Sequence, residues 1–540
     1  MINLQDQFGE YQGSKKGFAG WFSEAVWGHR FESPQIWPIA LEFLGMAEGL
    51  LYDGNLLEAT QPEKDVTYTA PVSKELRILV FNNPRILQIR NELQHDEGAA
   101  WDAWLLDMNG RLSDNAIDFD YLRKAIPSFH ELAERIELVR KLALDAGSSR
   151  KMTQRLLFPI GPSALYEPGD LDFTRDRTTF TRTGEIAYLM VSRADHALGA
   201  ELREHLSRFL ADETPRNRLI QSLLPPPPLT RGSKKGGAYL PYRKHPAFNR
   251  LAEDLIALFK LGLPHQDALE HIRFILPFHL YLYALETAAG WIGQKQPILI
   301  CEIPGPKMDV ARRASIASRD ENEAKGLEAL RSYVTRRIEA DQEVTEHLRS
   351  DILPHLTEQE RAGELSRLLT NLFSLNDEQA DVLKTLPTRD EVRASILREA
   401  EKAFRSGTMG AFEGLGRAAG LIDSRGTNKK RYAPTDGLLR ALVLANVQDD
   451  GRIEEADFLR LLRQRYGLVF GPREAVDTVA ISSPELFDET DYKRNQTRLT
   501  RRLVGLGLGN SMSDACTYIT NSFVQGRRPR DRPNPDPVPA

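Results

Sequence analysis

The fold is decided by TDGLLRALVLANVQDDGRIEEADFLRLLRQRYGLVF, residues 435–470, with YKRNQTRLTRRLVGL, residues 492–506, and GLGNSMSDACTYITNSF, residues 507–523. Apolar residues recur at helical spacing from Thr435 to Val447, Asp449-Asp450-Gly451 makes a turn, and the helical pattern resumes from Ile453 to Tyr466. Leu468-Val469-Phe470 is a short extended piece. A further helix is predicted from about Tyr492 to Leu506, and the residues after it read as a turn leading into a β-hairpin. Helices followed by a hairpin are the element order of a winged helix. In that fold the helix before the wing enters the major groove, where its side chains reach base edges and phosphates.

That helix carries Lys493, Arg494, Asn495, Gln496, Arg498, Arg501 and Arg502, with no acidic residue between Tyr492 and Leu506. Its positive charges neutralise phosphates, and an Asn or Gln side chain can read adenine with two hydrogen bonds. These seven residues are the candidate duplex-DNA contacts. The competing expectation is protein docking, in which the basic helix pairs with the acidic surface of a neighbouring subunit.

Outward from this region, the chain has 540 residues, a net charge of -5, 41% hydrophobic and 27% charged residues. Such a length exceeds one hydrophobic core, and the expected class is mainly α and multi-domain, with a few short strands and a C-terminal winged-helix-like domain. Residues 425–540 hold 19 basic and 15 acidic side chains, a balance of +4 against -9 for the rest, which suits a polyanionic partner for that end. The start, MINLQDQFGEYQGSKKG, lacks the pattern of a secretory signal, so a cytoplasmic protein is expected. The segment Ala268 to Ile292 contains Glu270, His271, Arg273, His279 and Glu286 and is interrupted by Pro277, which predicts a buried pair of helices and no membrane span. Cys301 and Cys516 are too far apart in sequence and context to form a disulfide framework or a cysteine-rich zinc site.

Composition shifts divide the chain further. Residues 1–149 read as an N-terminal helical domain with an aromatic-rich cap and residues 150–223 as a second helical domain; LPPPPLTRGSKKGG, residues 224–237, reads as an exposed polyproline and glycine linker. Residues 238–320 form a helical core with one buried strand, PILICEI at 297–303, and residues 321–424 a charged helical bundle or connector. Its helix starts are marked by capping boxes at Thr357 to Glu360 and Thr388 to Glu391. Residues 425–525 are the winged-helix-like domain, and residues 526–540, rich in proline and charge, a disordered tail. LRILVF, residues 76–81, ends before Asn82-Asn83-Pro84 and is expected to be extended.

Several motifs carry weaker chemistry. Residues 446–457, NVQDDGRIEEAD, imitate a calcium loop, but the last carboxylate is Asp457 and an inter-helix turn explains them better. His271, His279 and Glu286 share a helical face only if Pro277 leaves the register intact. Glu302 and Lys307 sit at the end of the PILICEI strand as they would in a divergent metal-dependent nuclease, although no second acid accompanies them. GLGRAAG, residues 414–420, follows a helix where a dinucleotide fingerprint needs a strand, and GSKKG occurs twice, at 13–17 and 232–236, as solvated loops. No metal or cofactor is implied.

LVFNNPR (79–85), RTGEIAYLMVSR (182–193), LPYRKHPAF (240–248), EIPGPKMDVA (302–311) and RYGLVFGPREA (465–475) together resemble a family of bacterial proteins encoded in antiphage islands, the methylation-associated defence system. The motifs transfer no catalytic residue. The resemblance implies a component acting beside a DNA methyltransferase, ATPases and other defence-system subunits. The expected function is a non-enzymatic DNA-binding or adaptor subunit of such a multi-protein system. The alternatives are a metal-dependent nuclease subunit using Glu302 and Lys307, and a purely structural docking scaffold.

Overall fold

A computed structural model describes residues 4–9, 18–29, 31, 36–69, 78–80, 83–111, 118–142, 144–145, 155–156, 182–211, 215–224, 234–305, 309–349, 355–386, 388–425, 429–448, 451–512 and 516–525. The first GSKKG loop, the proline run, Lys307 and the C-terminal tail lie outside these residues. The fold is mainly helical with short strands. It has two compact units: residues 1–249 with 330–415, and residues 250–329 with 416–540. Among the described residues, no helix is long and apolar enough to cross a membrane.

In the first unit, the apolar helix Ile36–Tyr52 packs against Thr183–Ser192. Gly184 makes this approach possible, because a Cβ there would meet the carbonyl of Ile39 and come within 2.7 Å of Glu42 Cβ. The Glu42 carboxylate accepts from the amides of Arg182 and Gly184, both at 2.8 Å, and so satisfies the start of the second helix from another element. Two residues of the aromatic-rich cap are buried as well: Trp27 stacks on Phe31 and meets Phe412 edge-on.

Two expectations change here. Lys234–Ala238, placed partly in the flexible linker, is a strand paired antiparallel with Val66–Thr69, because that partner supplies its backbone hydrogen bonds. Residues 78–80 are helical and not extended. Asn83 accounts for the difference: its side chain donates back to the Leu79 carbonyl at 3.2 Å and accepts from Trp104 Nε1 at 3.1 Å. The part of the charged segment in this unit contributes several helices. Its helix Glu358–Phe373 starts at the Thr357/Glu360 capping box, and Thr388 caps Arg389–Ala403.

The second unit is built around His265–Trp291, one continuous helix of 27 residues with Pro277 inside it. The expected break does not occur. Nearly the whole helix surface is buried, and that packing outweighs the hydrogen bond which proline removes. Helix Asp436–Asn446 lies against it, and Gly437 leaves room for the Phe274 ring.

Helix Glu455–Tyr466 ends at Gly467, whose φ of 74° is the left-handed cap that glycine adopts without strain. The chain then enters Leu468–Val469, which pairs in parallel with Leu299–Ile300 of the PILICEI segment. Ile300, Val469, Ala314, Ala475, Val479 and Tyr492 close into one apolar cluster. Finally, Gly509–Ser511, Thr517–Thr520 and Arg452–Glu454 form an antiparallel sheet with Thr517–Thr520 in the middle.

Candidate functional site

The basic segment is a helix from Glu489 to Gly505. Asp488 accepts from the Asp491 amide at 2.8 Å, and Glu489 and Asp491 place negative charge in the first turn, where the helix dipole favours it. Tyr492, Asn495, Leu499 and Leu503 are buried. At about 100° per residue these four lie on one side of the helix. Lys493, Arg494, Thr497, Arg501 and Val504 are exposed and lie on the other. Arg498 and Arg502 flank the exposed ridge on one edge and Gln496 and Thr500 on the other, all partly buried.

The cations of this helix differ in what holds them. Lys493 pairs with Glu489 at 2.6 Å in solvent, and the exposed Arg494 pairs at 3.0 Å with Asp491, whose largely covered carboxylate also accepts from the Val310 amide. A pair in solvent such as the first is worth about 0.3–0.5 kcal/mol and exchanges readily for another anion. Arg498 is held more firmly, by Asp309 at 2.7 Å, and its guanidinium covers Gly305, where a Cβ would clash with it. Arg502 reaches Asp436 at 2.5 Å. Arg501 has no ion pair among the described residues.

The two amide side chains also part company. Asn495, expected to read adenine, is fully buried. Its Nδ2 donates to the carbonyls of Cys301 at 2.8 Å and Phe470 at 2.9 Å, and its Oδ1 accepts from the Ile303 amide at 2.8 Å. All of that hydrogen bonding serves the ends of the parallel strand pair, so Asn495 is a structural clamp and not a base contact. Gln496 turns its amide toward Glu455 at 3.5 Å, and Thr500 donates to the same carboxylate at 2.6 Å.

Beside the helix stands the sheet. Ile519 and Ile453 are paired across it, with Ile519 buried, which leaves Arg452 and Tyr518 on the opposite face. The Arg452 guanidinium lies over the Tyr518 ring at 5.7 Å. Met512, at the end of the first hairpin strand, is 46% exposed.

The remaining sequence candidates are placed in structural roles. Glu302 is buried between two arginines: Arg312 donates to Oε1 at 2.9 Å and Arg431 to Oε2 at 2.7 Å. With both oxygens so occupied it presents no open metal ligand. Pro277 leaves the helix continuous, but His279 Nε2 meets Asp254 at 2.7 Å and Glu286 accepts from Arg250 at 2.8 Å, so these two side chains are engaged elsewhere. In the calcium-like segment, Asn446 bonds to Leu442 and Tyr466 and Asp457 pairs with Arg460. Among the described residues no group of His, Cys, Asp and Glu is arranged to hold a metal ion.

Sequence reasoning missed the buried centre of the second unit. Asp254 accepts from Tyr466 at 2.6 Å and from Arg465 at 2.6 Å as well as facing His279. Burial raises the Asp254 pKa, but the His279 hydrogen bond and the Arg465 charge more than offset it, and the carboxyl lies below its ordinary range. The RYGLVFG motif is thereby accounted for: Arg465 and Tyr466 bind Asp254, Gly467 turns the chain, and Leu468-Val469 pair with the 299–300 strand. No protein-family model matches the chain, and no curated protein sequence does.

Proposed function

We propose that this chain is a non-enzymatic DNA-binding subunit of a multi-protein bacterial defence system, with a C-terminal winged helix as its contact surface. The element order supports the reading. Helix 436–446, strand 452–454, helix 455–466, helix 489–505 and the 509–520 hairpin occur in that order, with strand 468–469 and the short helices 472–476 and 479–482 between the second and third helices, and the last hairpin strand pairs back onto the first strand. One observation carries it: Lys493, Arg494, Thr497 and Arg501 form a single exposed ridge beside that hairpin, with Arg501 uncompensated among the described residues. Arginine there reaches a phosphate or the N7 and O6 of guanine without first breaking a buried pair.

The test is binding of the full chain to a labelled DNA duplex across a series of salt concentrations. With Lys493, Arg494 and Arg501 as the phosphate contacts, log K falls with log salt at a slope of about -3. Absence of salt-sensitive binding sinks the proposal. A second reading, a protein-docking scaffold, is favoured by the internal neutralisation of Arg498 and Arg502 and by the exposure of Val504 and Met512. It predicts a co-purifying acidic partner that is lost on reversing the charge of Arg494 and Arg501, with no duplex binding.

A further inference from the structure

A second basic cluster lies in the first unit, on helix Arg389–Ala403 and the π-helical turn Phe404–Thr408 that follows it. We infer that the concavity there is a binding site for phosphate groups in a chain. It is a shallow, open depression lined by Arg398, Glu401, Lys402, Arg405 and Ser406. This cluster belongs to the first unit and the C-terminal ridge to the second, and they share no residue.

Glu401 organises the cluster. Its Oε1 accepts from Arg405 at 2.8 Å and its Oε2 from Arg331 at 2.7 Å, which fixes two guanidiniums on one carboxylate. Arg398 and Lys402 are exposed and have no ion pair among the described residues. Arg331, Arg398, Lys402 and Arg405 thus stand against Glu399 and Glu401, a local excess of two positive charges. Like charges four apart on a helix repel, and Arg398 and Lys402 stand in that relation, so an anion bound between them relieves a cost already present. The widened turn, of a kind that recurs at functional sites, brings Arg405 and Ser406 to the edge of the same concavity.

The chemistry selects phosphate. Guanidinium forks match phosphate oxygens with paired hydrogen bonds, and the run from Arg398 to Arg405 covers about 10 Å along the helix, room for more than one phosphate. The lining has no aromatic side chain on which a base could stack. Recognition therefore falls on the phosphate chain, whether of a free polyphosphate or of a nucleic-acid strand.

The test uses the full chain carrying K493A, R494A and R501A, so that the C-terminal ridge does not contribute. Calorimetric titration with inorganic triphosphate and, separately, with a single-stranded DNA 12-mer distinguishes the two sources. Saturable binding of either probe is expected, weakened at least tenfold by R398A/K402A and retained in the charge-preserving R398K/K402R. Triphosphate alone binding assigns a free polyphosphate, and the 12-mer alone binding assigns a strand backbone. No saturable binding of either probe at low ionic strength, or equal binding by R398A/K402A with its unfolding midpoint unchanged, overturns the site.

Discussion

Asn495 donates its side-chain amide to the carbonyl of Cys301 at 2.8 Å, fully buried, while Arg494 on one side of it stands in solvent. A single residue step thus separates the part of this helix that builds the second unit from the part that faces solvent.

Replacing Asn495 by Ala leaves the carbonyls of Cys301 and Phe470 and the amide of Ile303 without this partner in a buried site. The expected loss is about 2–4 kcal/mol of unfolding free energy, read as a lower urea midpoint. Protein that remains folded keeps its duplex affinity. A selective loss of DNA binding at unchanged stability would return Asn495 to the contact surface.

Arg501 and Arg502 are neighbours with opposite expected behaviour. Arg501→Glu weakens duplex binding about tenfold or more and shallows the salt dependence, because an exposed, uncompensated cation becomes an anion. Arg502→Ala removes the pair with Asp436 and changes affinity much less. Salt-titrated binding of the two variants measures the difference, and equal effects would contradict the assignment of the ridge.

Glu302→Gln keeps the shape of the side chain but leaves Arg312 and Arg431 facing a neutral group in the interior. Breaking a buried ion pair from one side costs about 3–5 kcal/mol. Chemical denaturation is expected to show a loss of that size. A variant as stable as the parent would mean that the carboxylate is not neutralised by these arginines.

Acid destabilises the second unit through its histidines. Burial, then the Arg440 charge, pushes His271 down from 6.5 to about 4, with Asp267 opposing and Arg273 adding to the effect. The unfolded chain therefore takes up the proton first, and the stability contributed is complete above pH 6.5 and lost as the pH falls toward about 4. Burial also lowers His279, in the same sense, against the opposing pull of Asp254. Unfolding midpoints measured between pH 7 and about pH 4 should fall, and His271→Gln should flatten part of that slope.

Much of the local structure was legible because its causes lie within a few residues. Thr357 with Glu360, and Thr388 as a cap, mark helix starts, and the β-branched run at 297–303 contains a strand. The 489–505 helix and the hairpin after it follow from helical periodicity and turn residues.

What the sequence by itself determined, then, was a mainly helical protein and the place of its basic helix. Tertiary structure decided which of those basic and polar side chains are available. Pro277 stays inside a helix because packing around it outweighs the lost hydrogen bond, and Lys234–Ala238 is a strand because residues 66–69 pair with it. Asn495 is withdrawn by Cys301, Ile303 and Phe470, and Arg498 by Asp309. The physical reason is common to all of these. Periodicity and capping arise between neighbours along the chain, whereas the partner of a buried polar group is set by segments that meet only when the core closes.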